Sequence, residues 1–256
     1  TLNVNAAVPI TNFNLSGGTL GGTGGTLTAS GAFTESGGTL GSGANVTVNG
    51  TLTWTGGTMS GTGTTTVGAG GVLTISGAGT KFLEGPRVLT NNSVAGSTWS
   101  GTGNIDAQAV AGWTFNNVGF LEIQNDQSIF DGTFNNSGTL TKTGGAGVTT
   151  FSNTTFNNSS TVNVNAGTVR LLNGGTHTGA FNAASGAVLQ FGGGTHALNA
   201  GSSLTGAGAV NVAGATVNVN TSGVDRLAGT LNVTSGTLAV TGDLVVVNGS
   251  SPLTPA

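Results

Sequence analysis

The chain has 256 residues, a formal net charge of −3 and no cysteine, and 5% of its residues are charged, against roughly 25% in a typical soluble protein. Five scattered Lys and Arg residues cannot neutralise many phosphates, which excludes nucleic acid as a partner. No apolar run approaches the roughly 20 residues that a membrane span needs, and 49 glycines without a three-residue period, beside four prolines, exclude collagen. Apolar residues make up 36% and are evenly spread, unlike the composition of a disordered chain. A fold without disulfides agrees with many bacterial surface proteins.

From the first residue the chain reads as short strands. "TLNVN" at Thr1 already alternates, and the single methionine is Met59, so removal of a signal peptide or longer N-terminal region is expected. Three segments then align: "GGTLGGTGGTLT" from Gly17, "GGTLGSGANVTV" from Gly37 and "GGTMSGTGTTTV" from Gly56, with starts 20 and 19 residues apart. Residues 80–92, "TKFLEGPRVLTNN", break the pattern with Lys81, Glu84, Arg87 and Pro86. Pro86 cannot donate a ladder hydrogen bond and belongs at a turn or edge. Residues 95–112 mark a possible internal junction between two styles of repeat. Beyond it come "FNNVGFLEI" at Phe115, "FNNSGTLTK" at Phe134, "FNNSSTVNV" at Phe156 and "FNAASGAVL" at Phe181, then "GGTH" at Gly174 and Gly193. Residues 120–131, "FLEIQNDQSIFD", hold Glu122, Asp126 and Asp131. Residues 250–256 read as a tail or linker after one continuous unit over 1–249.

Period-two alternation such as Leu52 and Trp54 against Thr51 and Thr53, bounded by Gly, Asn and Ser, is the strand signature. Frequent glycine leaves no helix. Strands repeating about every 20 residues predict an all-β, right-handed parallel β-helix, because one rung cannot bury its own apolar side and stacked rungs can. About twelve or thirteen rungs would make a rod roughly 60 Å long. Leu20, Leu40 and Met59 are expected above one another inside. Phe115, Phe134, Phe156 and Phe181 form a second expected stack, with Asn116, Asn135, Asn157 and Asn182 beside it as an amide ladder. Asn135 and Asn157 suit the left-handed conformation of a corner.

Chemistry has few candidates. Glu122, Asp126 and Asp131 are the acids closest in sequence, and they define a candidate ligand loop for a polysaccharide-acting or glycan-binding β-helix. Their spacing matches no calcium loop. His177 and His196 sit one rung apart, but two histidines without a third ligand make a poor metal site, and they read as turn or face residues. No catalytic residue, cofactor or metal site is predicted. An ice-binding threonine face is disfavoured, because Thr26-Leu27-Thr28 aligns with Val46-Thr47-Val48 and the outward ladder would change phase.

Residues 134–212, beginning "FNNSGTLTKTGG", resemble secreted bacterial β-strand-repeat proteins, similar to filamentous-haemagglutinin-like adhesins and autotransporter passengers. The resemblance implies a right-handed parallel solenoid exported to the cell surface or matrix, built from scaffold repeats without catalytic residues; this chain is shorter than such proteins usually are. The expected function is a non-enzymatic structural or adhesive extracellular rod. Its expected partners are further rungs of a longer chain, another copy stacked head to tail, or host and matrix glycans.

Overall fold

The computed structural model describes residues 1–94, 96–108, 110–220, 225–227, 229–241 and 244–246; the expected tail at 250–256 lies outside them. The protein is an all-β solenoid with parallel strands stacked in about 11 turns of roughly 21 residues. A typical turn carries three short strands, so the rod has three faces. The first face begins Leu2–Asn3, Thr19–Gly21, Thr39–Leu40, the second Val8–Ile10, Thr26–Ala29, Asn45–Val48, and the third Phe13–Leu15, Phe33–Glu35, Thr51–Trp54. Among the described residues the third face is a 10-stranded sheet from Phe13–Leu15 to Ser203–Thr205, and Asp225–Leu227 pairs with Leu244–Val246 in a separate two-stranded sheet. The first two faces merge into one 22-stranded sheet, because Ala209–Val219 and Thr230–Val240 run through both.

Local chemistry explains the strands and corners. Val and Thr are stiff at χ1 and fit a pleated surface, and period-two alternation sends each Val, Leu or Phe inward and each Thr or Asn outward. At the corner from third to first face, Gly18, Gly38 and Gly57 take positive φ of 71°, 73° and 85°. A Cβ on Gly38 would lie 2.7 Å from the carbonyl oxygen of Gly18, so that corner needs glycine twice over, for its backbone conformation and for close stacking. Pro86 lies between the strands Lys81–Leu83 and Val88–Asn91, at the next corner.

The register places Leu20, Leu40 and Met59 in one column, continued by Leu83, all fully buried. Phe115, Phe134 and Phe156 form a second column on the second face, with Phe134 and Phe156 stacked at 5.5 Å and 2° between planes. Phe181 does not continue it. Its register partner is Val162 on the third face, and it meets Phe156 across the core at 6.4 Å. The fourth phrase is displaced by one strand within its rung, because "GGTH" occupies the strand that "FNN" occupies in the rungs before it. The rungs are also fewer than twelve or thirteen. The irregular stretches lengthen several of them, as the partners Thr58 and Phe82, or Leu89 and Phe115, show.

The threonine phase differs from the one predicted. Leu27 pairs with Val46 and Thr28 with Thr47, because the corner "GGTGG" at 21–25 has one residue more than "GSGA" at 41–44. The extra glycine absorbs the shift, and a one-residue register slip that would have turned every side chain over does not occur.

Candidate functional site

Side chains that could carry chemistry are concentrated at the corners and inside the rod. In "FNN" the alternation sends Phe inward, the first Asn outward and the second Asn inward. Outside, Asn135 donates to Asn116 and Asn157 to Asn135, each at 2.9 Å. Asn182 is not part of this ladder, since it pairs with Asn163 on the third face. Asn135 and Asn157 lie in extended strands. The left-handed non-glycine residues nearby are Asp131 and Asn153, with φ of 67° and 47°.

Inside runs a second ladder that was not anticipated. Asn91, Asn117, Asn136 and Asn158 are buried, and each Nδ2 donates to the next Oδ1 at 3.0, 2.8 and 2.8 Å. Their Nδ2 groups also donate to the carbonyls of Phe120, Thr139, Thr161 and Ala180, where the chain enters the third face in the following rung. The signal was present in the sequence: the second Asn has the parity of the core Phe.

The column continues from Asn158 to His177. His177 and His196 are buried inside the rod instead of lying on a face or turn, with rings stacked at 5.3 Å. The carbonyl of Gly193 can only accept, so His196 Nε2, at 3.1 Å, carries a hydrogen. The neutral ring then leaves His196 Nδ1 as acceptor, and His177 Nε2 donates to it at 3.0 Å. His177 Nδ1 keeps its lone pair, with no protein partner. Burial holds both rings well below the ordinary value of 6.5. His177 is at about 3, lowered also by the charge His196 would carry, and His196 is at about 4 despite its backbone hydrogen bonds.

Three buried cations close corners. Arg87 donates to the Ser60 and Thr64 carbonyls and to Thr65 Oγ1 at 2.9–3.2 Å. Lys81 Nζ lies 3.3 and 3.4 Å from the carbonyls of Gly77 and Gly103. Lys142 Nζ lies 2.6 Å from those of Asn125 and Gly144, and 2.8 Å from Asp126 Oδ1. The carbonyls of Ser60, Gly103 and Gly144 lie outside the strands and the cations supply their donors; that of Gly77 also accepts from the N–H groups of Thr102 and Gly103, and that of Asn125 from the Thr149 hydroxyl. Burial lowers the pKa of Lys81, and lowers that of Arg87 to about 10 against the opposing charge of Glu35. Glu35 is fully buried, and neither carboxyl oxygen has a partner among the described residues. Burial raises its pKa to about 8, with Arg87 pulling the other way, so the group is largely protonated at neutral pH.

The predicted ligand loop is taken up by the scaffold. Glu122 accepts from Gln124 and from the Thr143 hydroxyl. Asp126 pairs with Lys142 and accepts from the Gly147 N–H at 2.9 Å. Burial raises its pKa, but those two partners together hold it below the usual range. Asp131 accepts from Asn153 at 2.6 Å. Each acid serves a different contact, and among the described residues no group of three or more His, Asp or Glu could hold a metal ion.

The outward residues are periodic, some of them bonded to one another from rung to rung, as Thr64 is to Asn45 and Asn135 to Asn116. On the second face, Thr28, Thr47, Thr66 and Thr90 stand in one column that Asn116, Asn135 and Asn157 extend. A parallel column two residues earlier runs Thr26, Asn45, Thr64, and after Val88 resumes as Thr114, Thr133 and Thr155. Comparison with known protein families, curated proteins and solved structures finds no match.

Proposed function

We propose that the chain is a non-enzymatic, extracellular structural or adhesive rod of a bacterial cell surface, fibre or matrix, in the manner of the adhesins and passengers its repeats resemble. The observation that carries this is the employment of its reactive groups. The buried Asn ladder, Arg87, Lys81, Lys142 and the three acids at 120–131 are all engaged in joining one rung to the next. A rod of this kind grows by adding rungs, either of the same chain or of another copy stacked head to tail. Strand Leu2–Asn3 pairs on one side with Thr19–Gly21, and Leu2 and Val8 leave apolar surface exposed at that end. Such an unpaired edge accepts a further strand. Electron microscopy of purified material, with sedimentation at rising concentration, tests this. Rods or fibres lengthening with concentration support stacking, and a strictly monomeric particle of constant length refutes it.

A glycan-binding reading has one specific observation behind it, on the first face. Phe82, Asp106 and Phe130 project outward from successive rungs, half-buried, with Phe82 paired to Asp106 and Ile105 to Ile129. Two aromatic rings flanking a carboxylate suit a sugar ring's apolar face and hydroxyls. Alanine at Phe82 and Phe130 with unchanged binding on a glycan array would remove this reading.

A further inference from the structure

We propose that the second face binds ice. This goes beyond the rod reading, since a rod needs no ordered surface and could fail or stand independently of it. Successive rungs repeat about every 4.8 Å along the axis, and residues two apart on a strand are about 6.6 Å apart. The two in-phase columns therefore make a two-dimensional lattice of Thr and Asn side chains, interrupted at Val88. No Lys, Arg, Asp or Glu and no aromatic residue projects outward from the strands of this face between Thr26–Ala29 and Thr155–Asn158. The hydroxyls of Thr28, Thr47 and Thr66 find no partner among the described residues.

Each threonine hydroxyl has one donor and two acceptor sites, close to the hydrogen-bonding capacity of a water molecule. Restricted χ1 rotation holds it in place, and the backbone ladder beneath fixes its neighbours, so little entropy remains to be lost on binding. Small ligands prefer concave, largely apolar sites; this face is polar, and its concavity among the described residues, beside Asn135 and Asn157, is lined by Asn, Ser and Thr. A repeating neutral lattice gains most from a partner that repeats in the same two directions, offers donors and acceptors throughout and carries no charge. Crystalline water has those properties. Crystalline polysaccharide repeats too, but its sugar faces call for the exposed aromatic rings that this face lacks.

The test is ice recrystallisation and thermal hysteresis measured on the full chain. The wild type should arrest ice-grain growth. Thr66→Lys with Thr133→Lys, in the middle of the array, should raise the concentration required by an order of magnitude. Thr53→Lys with Asn163→Lys, the same change on the third face, should leave it unaltered. Circular dichroism melting checks that each variant is folded. If the lysine pair on the second face does not fold, tyrosine at the same positions suits a strand and should give the same loss. Wild-type protein no more active than an inert protein at equal concentration overturns the proposal. So does equal loss from changes on both faces, or binding to particulate cellulose through Thr66 and Thr133 without any effect on ice.

Discussion

Asn136→Ala should be among the most damaging single polar substitutions in the rod. Asn136 donates to Asn158 Oδ1 at 2.8 Å and to the Thr161 carbonyl at 2.9 Å, and accepts from Asn117 at 2.8 Å. Truncation leaves the Asn117 donor and the Thr161 acceptor buried with no replacement. Each such orphan costs about 1–3 kcal/mol, so the expected loss is about 3–5 kcal/mol. Asn135→Ala is the internal control. It removes two amide contacts of the same chemistry from the half-buried outer ladder, where water replaces them, and should cost under about 1 kcal/mol. Because a repeat array can unfold in parts, the assay is native-state hydrogen exchange of the strands from Gly132–Asn136 to Thr161–Val164, alongside urea unfolding. A loss for Asn136→Ala no greater than for Asn135→Ala would refute the assignment of the inner ladder as the stronger joint.

Stability should peak near pH 6.5. Both histidines stay neutral in the folded rod down to about pH 3–4 but protonate near 6.5 when unfolded, so the unfolded state binds more protons and acid destabilises. Glu35 keeps its proton up to about pH 8 when folded and loses it near 4.5 when unfolded, which makes rising pH destabilising across that interval. Between pH 4.5 and 6.5 the net difference is about one proton, or about 1.4 kcal/mol per pH unit, and from 6.5 to 8 the slope reverses with similar size. Glu35→Gln should flatten the alkaline limb in pH-dependent melting, and leucine at both His177 and His196 should reverse the acid limb, leaving stability to fall from about pH 4.5 to 8 through Glu35 alone. A melting temperature independent of pH from 5 to 8 would contradict these assignments. Lys142→Met should cost about 1–3 kcal/mol in urea unfolding, because the Gly144 carbonyl loses its donor while that of Asn125 keeps the Thr149 hydroxyl. Asp126→Asn should cost under about 1 kcal/mol, because the Asp126 side chain is 34% exposed and solvent screens its pair; the reverse order would count against Lys142 acting mainly on carbonyls.

Much of the rod was legible because its signals are local and repeated. Alternation identifies inward residues, and glycine pairs mark corners, so the Leu20, Leu40, Met59 column follows from sequence alone. Registers across corners of unequal length were not legible. Pattern matching assumes equal corners, and one extra glycine before Thr26 displaced the expected threonine phase. The same assumption put Phe181 and Asn182 in the wrong column, because a phrase can recur on a different strand of its rung. The inner Asn column follows from parity, since the second Asn of each pair lies two residues after the inward Phe. Burial of Arg87 and Lys81 was not readable, because charge on a short irregular stretch points first to a solvated loop; Lys142 ends the regular phrase "FNNSGTLTK" and shares the inward parity of Leu140. The need for a donor appears only once the inward carbonyls are placed.

Those corrections relocate the places where function can reside. The irregular stretches drew attention as candidate binding loops because they gather the charges. Yet a charge in this rod is expensive inside and is retained where it satisfies backbone groups, as Lys142 and Asp126 show. Departure from the repeat at 120–131 therefore includes residues that join one rung to the next. Threonine on a strand face requires no explanation singly, and the shared phase of the columns follows from stacking the inward residues; the near-exclusive use of Thr and Asn in them does not. Stability constrains the inward residues of each strand; it does not by itself demand Thr or Asn at nearly every outward position of the second face. A change confined to the outward column that leaves melting intact and alters only ice growth would separate those two pressures, and that separation is what distinguishes a working surface from the back of a well-formed strand.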